Sequence, residues 1–289
     1  MQEYPKEIQK LIRKMQKGEI TEYYVYLNIA KRVKDKENKK ILEEIANQEK
    51  AHNSIWEKYT KEKIKPNKFK IFFYSIMSIF FGYTFTLKLM EKGENHANST
   101  YLEISKYAPD ALKIATEEDE HEQKLISLLN EESLNYVGSI VLGLNDALVE
   151  LSGALAGLTL ALADPKIISV SGLITGIAAS LSMASSEYLS SKAEGKPNAL
   201  KSAIYTGIAY IITVAILIIP YLLLGDNKFL ALGIMLISVV LIILFFNYYI
   251  SVAKDLPFKK RFLQMTIISL SVAAISFGIG FFINIIFGI

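Results

Sequence analysis

An all-α chain in two parts, a soluble four-helix bundle followed by five membrane-spanning helices, is predicted by three observations. Residues 1–134 hold 22 of the 29 acidic and 23 of the 32 basic residues. From Tyr136 onward the chain runs through five apolar stretches long enough to cross a bilayer. Within the charged part, a lone glutamate is twice followed 27 residues later by Glu-x-x-His, first as Glu22 with Glu49 and His52, then as Glu91 with Glu118 and His121. The expected domains are therefore 1–134 and 135–289.

In the first part, Tyr23, Tyr24, Leu27 and Ala30 fall at helical spacing, and a second helix is expected over Glu37–Tyr59. A turn at Lys34–Lys36 makes these an antiparallel hairpin whose midpoint brings Glu22 level with Glu49 and His52. The latter two, three residues apart, share one helix face. A second hairpin is expected to turn near Tyr107–Asp110, because Pro109 suits a first helical position and disfavours helix before it. Here the repeat spacing favours Glu91 as the third-helix residue and hairpin height favours Glu94; both are kept. One Glu from each of two helices and Glu-x-x-His from each of two others is the donor arithmetic of a carboxylate-bridged two-metal site in a bundle. His96, the remaining histidine, lacks such neighbours and reads as a surface or supporting residue.

The chain has no cysteine, so thiolate ligands, disulfides and a Cys nucleophile are excluded. Oxygen and imidazole donors suit iron, manganese or zinc, and carboxylate-rich sets lean toward iron and manganese. The net charge is +3 and near balance in each half, which argues against a nucleic-acid partner. MQEYPKEIQK contains no apolar signal region, so the first domain is expected in the cytoplasm.

The stretches EYYVYLNIAK, ILEEIANQEKAH, LMEKGENHA and EEDEHEQKL resemble the rubrerythrin-like branch of the ferritin-like superfamily, over roughly residues 19–130. That resemblance implies a ferritin-like bundle with a di-iron site, manganese being the alternative metal. Its ligands would be Glu22, Glu49, His52, Glu91 or Glu94, Glu118 and His121. The rubredoxin-type cysteines of some relatives are missing.

Phe69–Leu89 is apolar enough to span a membrane, with Lys70 and Lys88 its only charges. A crossing there would place the two hairpins on opposite sides of the bilayer and prevent the six-ligand site from assembling. It is therefore expected to stay on one side and begin the third bundle helix. Its aromatics suit an interface with lipid headgroups, the membrane domain or a second subunit.

In the second part, spans are expected over roughly 136–163, 167–191, 199–224, 229–252 and 262–287. With the first domain in the cytoplasm, seven basic residues fall in inner loops (Lys192, Lys196, Lys201, Lys254, Lys259, Lys260, Arg261) and two in outer loops (Lys166, Lys228). This agrees with the positive-inside rule. Asp146, Glu150 and Glu187 are carboxylates inside spans, where an ionisable group costs about 2.5–3.5 kcal/mol. Met183 precedes Glu187 by one turn, and a thioether beside carboxylates suits Fe(II). Gly153-x-x-x-Gly157 and Gly172-x-x-x-Gly176 permit close helix approach, within the fold or in a dimer.

The runs GLNDALVELSGALAGL and GIAASLSMASSEYLSSKAE resemble the vacuolar iron transporter family, as does the five-span layout. The resemblance implies a homodimer in a membrane, expected to be the plasma membrane, that exports Fe(II), with Mn(II) as a further cargo, in exchange for protons. Asp146, Met183 and Glu187 would line the path, with Glu150 beside them. The loop SKAEGKPN is too short for the glutamate-rich metal-binding domain of plant members, a task the first domain would take over. A competing expectation is a membrane-anchored ferroxidase or peroxide-consuming di-iron enzyme. A third is a regulator whose metal occupancy alters the spans.

Overall fold

A computed structural model describes residues 4–94, 97–127, 136–224 and 227–287, apart from the side chains of 91–94, 97–99, 122–124, 126 and 127. The described residues form helices joined by short turns and loops, with no strand among them. The chain divides into two compact units, Met1–Glu131 and Glu132–Ile289.

In the first unit, α1 spans Lys6–Ala30 and α2 spans Lys36–Thr60. Asp35 caps α2 by accepting a hydrogen bond from the Asn38 amide, satisfying one of the free N–H groups of the first turn. The two helices form an antiparallel hairpin tied by Arg13 to Glu62, Thr60 to Gln16 and Trp56 to Glu19. These pairs centre near residue 38, beyond the expected turn at Lys34–Lys36. Helices α5 (Ala97–Ser105) and α6 (Asp110–Ser127) pack as a second pair, the turn falling at Tyr107–Pro109 as Pro109 requires.

The expected single helix beginning at Phe69 is not what forms. Helix α3 covers Lys68–Phe80, and α4 starts afresh at Tyr83 and runs to Glu94. Between them Gly82 adopts φ 85, a left-handed conformation that glycine enters without steric cost and that ends a helix. Neither piece is long and apolar enough to cross a membrane.

Two apolar clusters build this unit. One joins Val25, Tyr26, Ile29, Leu42, Ile45, Leu87, Met90 and Leu125. The other joins Ile8, Ile12, Trp56, Tyr101, Ile104 and Ile114. In every helix that supplies both, the residues between the two clusters are polar: Gln16 and Glu19, Glu49 and His52, Glu118 and His121.

In the second unit, α7 (Val137–Asp146) continues through a π-helical turn, Ala147–Leu151, into α8 (Ser152–Ala161). Then follow α9 (Pro165–Ala193), α10 (Ala199–Leu223), α11 (Lys228–Lys254) and α12 (Phe258–Phe287). Together they make the five expected helices long and apolar enough to span a bilayer. Asp164 caps α9, whose first residue, Pro165, has no N–H to leave unpaired. Lys228 Nζ donates to the Leu162 carbonyl at 2.9 Å, answering an open group at the end of α8.

The glycines anticipated as packing points are used within the chain. A methyl group on Gly157 would lie 3.0 Å from the Ser276 carbonyl of α12, and one on Gly280 would collide with the Gly157 backbone. Gly172 faces Leu155, Gly176 faces Val214, and Gly143 leaves room for the Thr206 backbone. Neither motif is left for a dimer contact. Gly280→Leu should therefore separate α8 from α12, destabilising the second unit by about 1–3 kcal/mol through overpacking, read as a lower melting temperature in size-exclusion thermal assays, whereas Gly278→Ala, with open space around it, should be neutral.

Candidate metal centre

The polar layer of the first unit converges on a point. Glu19, Glu49, His52 and Glu118 each offer one donor atom, and these atoms all lie within 4.8 Å of one another. His52 Nδ1 is 3.0 Å from Glu118 Oε1, 3.4 Å from Glu19 Oε2 and 3.8 Å from Glu49 Oε2. None of these approaches is aligned as a hydrogen bond: all four atoms are buried without a hydrogen-bond partner. Buried polar atoms are ordinarily paired. Four unpaired lone-pair donors aimed at one another are what a cation would satisfy, so the residues present fit a metal.

His121 joins the layer, its ring stacked on His52 at 5.6 Å between centroids. Its Nδ1 is 3.1 Å from Glu49 Oε1 and 3.5 Å from Glu118 Oε2. The far nitrogen of each histidine is held from outside: His121 Nε2 by Gln48 Oε1 at 2.9 Å, His52 Nε2 by Glu117 Oε2 at 2.8 Å. A donated Nε2–H leaves Nδ1 as the inward lone pair, the orientation that ligating histidines need. The arrangement is reciprocal, since each histidine is held by the residue preceding the other helix's glutamate. Gln48 and Glu117 escaped the sequence reading, which stopped at Glu-x-x-His and left out the position before it.

Glu19 also escaped it. Ile12, Glu19 and Tyr26 are seven apart and all buried, so Glu19 lies on the buried stripe of α1. Glu22, the expected residue, is half-buried one turn later, its Oε1 leaning back over Gly18. On the buried stripe Glu19 faces His52 and Trp56 of α2. Glu91 and Glu94 lie at the end of α4 with side chains outside the described residues, and His96 lies outside them altogether.

The electrostatics follow from burial. Desolvation pushes Glu19 well above the ordinary carboxylate range despite its contact with His52. Burial also opposes the charged forms of His52 and His121, but neighbouring carboxylates outweigh it. Glu118, Glu19 and Glu49 raise His52 strongly, and Glu118 and Glu49 raise His121 to about 9. Burial would raise Glu118 too, yet the two histidines hold it down at about 2. Trp56 Nε1 donates to Glu19 Oε1 at 3.0 Å, and Tyr101 reaches the same oxygen at 3.4 Å.

In the second unit, Glu187 of α9 accepts from Ser139 Oγ of α7 at 2.8 Å and from Ser191 Oγ at 3.1 Å. Thr206 of α10 donates to the Ser139 carbonyl at 2.9 Å. Asp146 lies seven residues after Ser139 on the same face, about 10 Å along the helix. It ends α7 where the π-helical turn begins, and Glu150 sits within that turn, 3.5 Å from Tyr210 Oη. Such turns concentrate at functional sites. Glu150 is exposed, Asp146 and Met183 half-buried, and Met183 packs against the unit's core. Asp146 and Glu187 are thus spaced along the spans rather than gathered at one point.

Among known proteins, a family model described as the VIT family matches residues 137–197 and 192–281, together half of the chain. No curated protein and no solved structure matches it.

Two outcomes follow from the first unit's geometry. A histidine raised to about 9 stabilises the metal-free fold fully below its unfolded value near 6.5, and that contribution is lost as pH rises through about 9; the melting temperature of chelator-treated protein, followed by its single tryptophan, Trp56, should fall between those values. Gln48→Leu should weaken divalent-metal binding about 10–100-fold by freeing the His121 ring, measured by titrating the emission of Trp56, whose indole touches Glu19.

Proposed function

As the chain belongs to the VIT family, a membership that points to a membrane metal transporter, we propose that its cargo is Fe(II), with Mn(II) also accepted, exported from the cytosol in exchange for protons. The observation that carries this reading is the ladder of carboxylates within the spans. Glu187 is solvated by two hydroxyls, one of them that of Ser139; about two helical turns beyond Ser139, Asp146 ends α7 and Glu150 lies within the π-helical turn that follows. Carboxylates in an apolar span are expensive unless they carry ions or protons. Each can bind a hard or borderline cation when ionised and release it when protonated, which couples metal movement to a proton gradient. Met183, one turn before Glu187, adds a soft donor that favours Fe(II) over lighter divalent ions.

Glu150 stands exposed near the middle of the first span. A second copy covering it would remove a charge from lipid, which supports a homodimer with its path between the two first spans. The excess of basic residues in the loops after α9 and α11 supports a cytoplasmic first unit.

That first unit we read as a rubrerythrin-like, ferritin-like bundle that gathers the metal before export. Glu19, Glu49, His52 and Glu118 would hold the first ion. His121, with Glu22 and the glutamates at the end of α4, would complete a di-iron centre. A bound di-iron centre supplies oxygen or peroxide chemistry. The second reading, a ferroxidase or peroxide-consuming enzyme, is favoured by Trp56 and Tyr101, two oxidisable rings within reach of Glu19.

In proteoliposomes loaded with a metal-quenched dye, Fe(II) should quench in proportion to an imposed proton gradient, and Asp146→Asn and Glu187→Gln should each lower the rate at least about tenfold, the loss of one transition-state interaction worth roughly 1.4 kcal/mol. Uptake left intact in both variants would overturn the mechanism. Dioxygen or peroxide consumption that disappears in His52→Ala and His121→Ala would establish the second reading instead.

A further inference from the structure

Helix α3 has two apolar faces, and the first unit uses one. Ser75 turns to α1, its hydroxyl 3.3 Å from Asn28 Nδ2 and its carbonyl accepting from Arg32 Nη1 at 2.9 Å. Ile71 and Tyr74 pack beside it on the core containing Val25 and Leu42. On the opposite side, Phe69, Phe72, Phe73, Ile76 and Phe80 recur at i, i+3, i+4, i+7 and i+11, a single helical stripe. Phe69, Phe72 and Phe80 are 75%, 63% and 76% exposed. An exposed aromatic stripe of this kind marks an interaction surface.

Charge identifies the occupant. Lys61, Lys63, Lys65, Lys68 and Lys70 lead into this stripe, all exposed. The only acid among them, Glu62, is engaged by Arg13 at 2.7 Å. A helix of 13 residues is about 20 Å long, short of the roughly 30 Å needed to cross a bilayer. Phenylalanines on one face with lysines at the entry are the composition of a helix lying in the plane of an anionic lipid surface. A second copy of the chain would also cover the phenylalanines, but it would set two identical basic stretches against each other.

We propose that α3, with the lysine-rich segment before it, is an in-plane membrane anchor that seats the first unit on an anionic lipid surface. The chain's own spans keep that surface at high effective concentration, so a modest intrinsic affinity suffices. The proposal depends on the second unit crossing a bilayer and not on which metal is carried.

The absence of cysteine allows single nitroxide labels at Phe72→Cys, Phe80→Cys and, as an aqueous control on α2, Glu44→Cys. Each full chain is reconstituted in phosphatidylcholine vesicles with and without phosphatidylserine, and unchanged Trp56 emission certifies the fold. Labels at 72 and 80 should collide with oxygen several-fold more readily, relative to a water-soluble nickel chelate, than the label at 44. Their depth should increase with phosphatidylserine, and replacing Lys63, Lys65, Lys68 and Lys70 by Gln should abolish that increase. Nickel-accessible labels overturn the proposal, as do labels shielded from both reagents, which would show a protein surface over the stripe. A depth indifferent to the lysine replacements overturns the electrostatic half.

Discussion

Three carboxylates and two imidazoles lie buried together between two apolar clusters, and the first unit is organised around making that arrangement tolerable. An isolated buried charge is prohibitive, and a buried pair is retained only when its partners are well placed. Here the histidines neutralise the carboxylates in part, Gln48 and Glu117 hold the outer nitrogens, and Trp56 and Tyr101 occupy one oxygen of Glu19. Four inner atoms, Glu19 Oε2, Glu49 Oε2, His52 Nδ1 and Glu118 Oε1, remain without hydrogen-bond partners. The apolar clusters above and below fix the helix separation at which those lone pairs meet, so the site inherits its geometry from the packing of residues such as Ile12, Ile45 and Ile114. Stability is given up for a layer that only a cation satisfies in full.

The second unit meets the same difficulty with different means. With no water in the hydrocarbon to complete a hydrogen bond, its hydroxyls bond backward to carbonyls of their own helices or across to neighbours, as Thr159 does to Leu155 and Tyr221. Glycines bring α8 against α12 and α7 against α10 closely enough for such short side chains to reach. Its carboxylates are not concentrated. They are strung along α7 and α9, one held by hydroxyls and two beside a π-helical turn, which suits passage of an ion better than its retention. One chain thus carries a closed carboxylate-histidine cluster and an open carboxylate ladder.

Much of this was legible before any coordinates. The change in charge density near residue 134, the lengths of the five spans and the two Glu-x-x-His pairs are one-dimensional signals, and helices report them faithfully because 3.6-residue periodicity and bilayer thickness are local constraints. The expectation that Phe69–Leu89 stays on one side of the membrane followed from the need to assemble the six-ligand site. The break within that segment was not legible, because a single glycine in a long apolar run is compatible with a continuous helix. In the folded unit Ile71 and Tyr74 of α3 and Leu87 and Met90 of α4 share one apolar cluster, and Gly82 between them takes the left-handed conformation.

The sequence by itself determined the helical class, the five spans and the residue types available to a metal, since composition and periodicity act over a few turns. Tertiary structure decided which of them meet. Packing of the buried stripe of α1 brings Glu19 into the cluster and leaves Glu22 half-buried one turn later. The antiparallel hairpins then set Gln48 and Glu117 behind the histidines of the opposite helix. Such choices depend on how whole helices seat against one another, a sum over many apolar contacts that no local pattern contains.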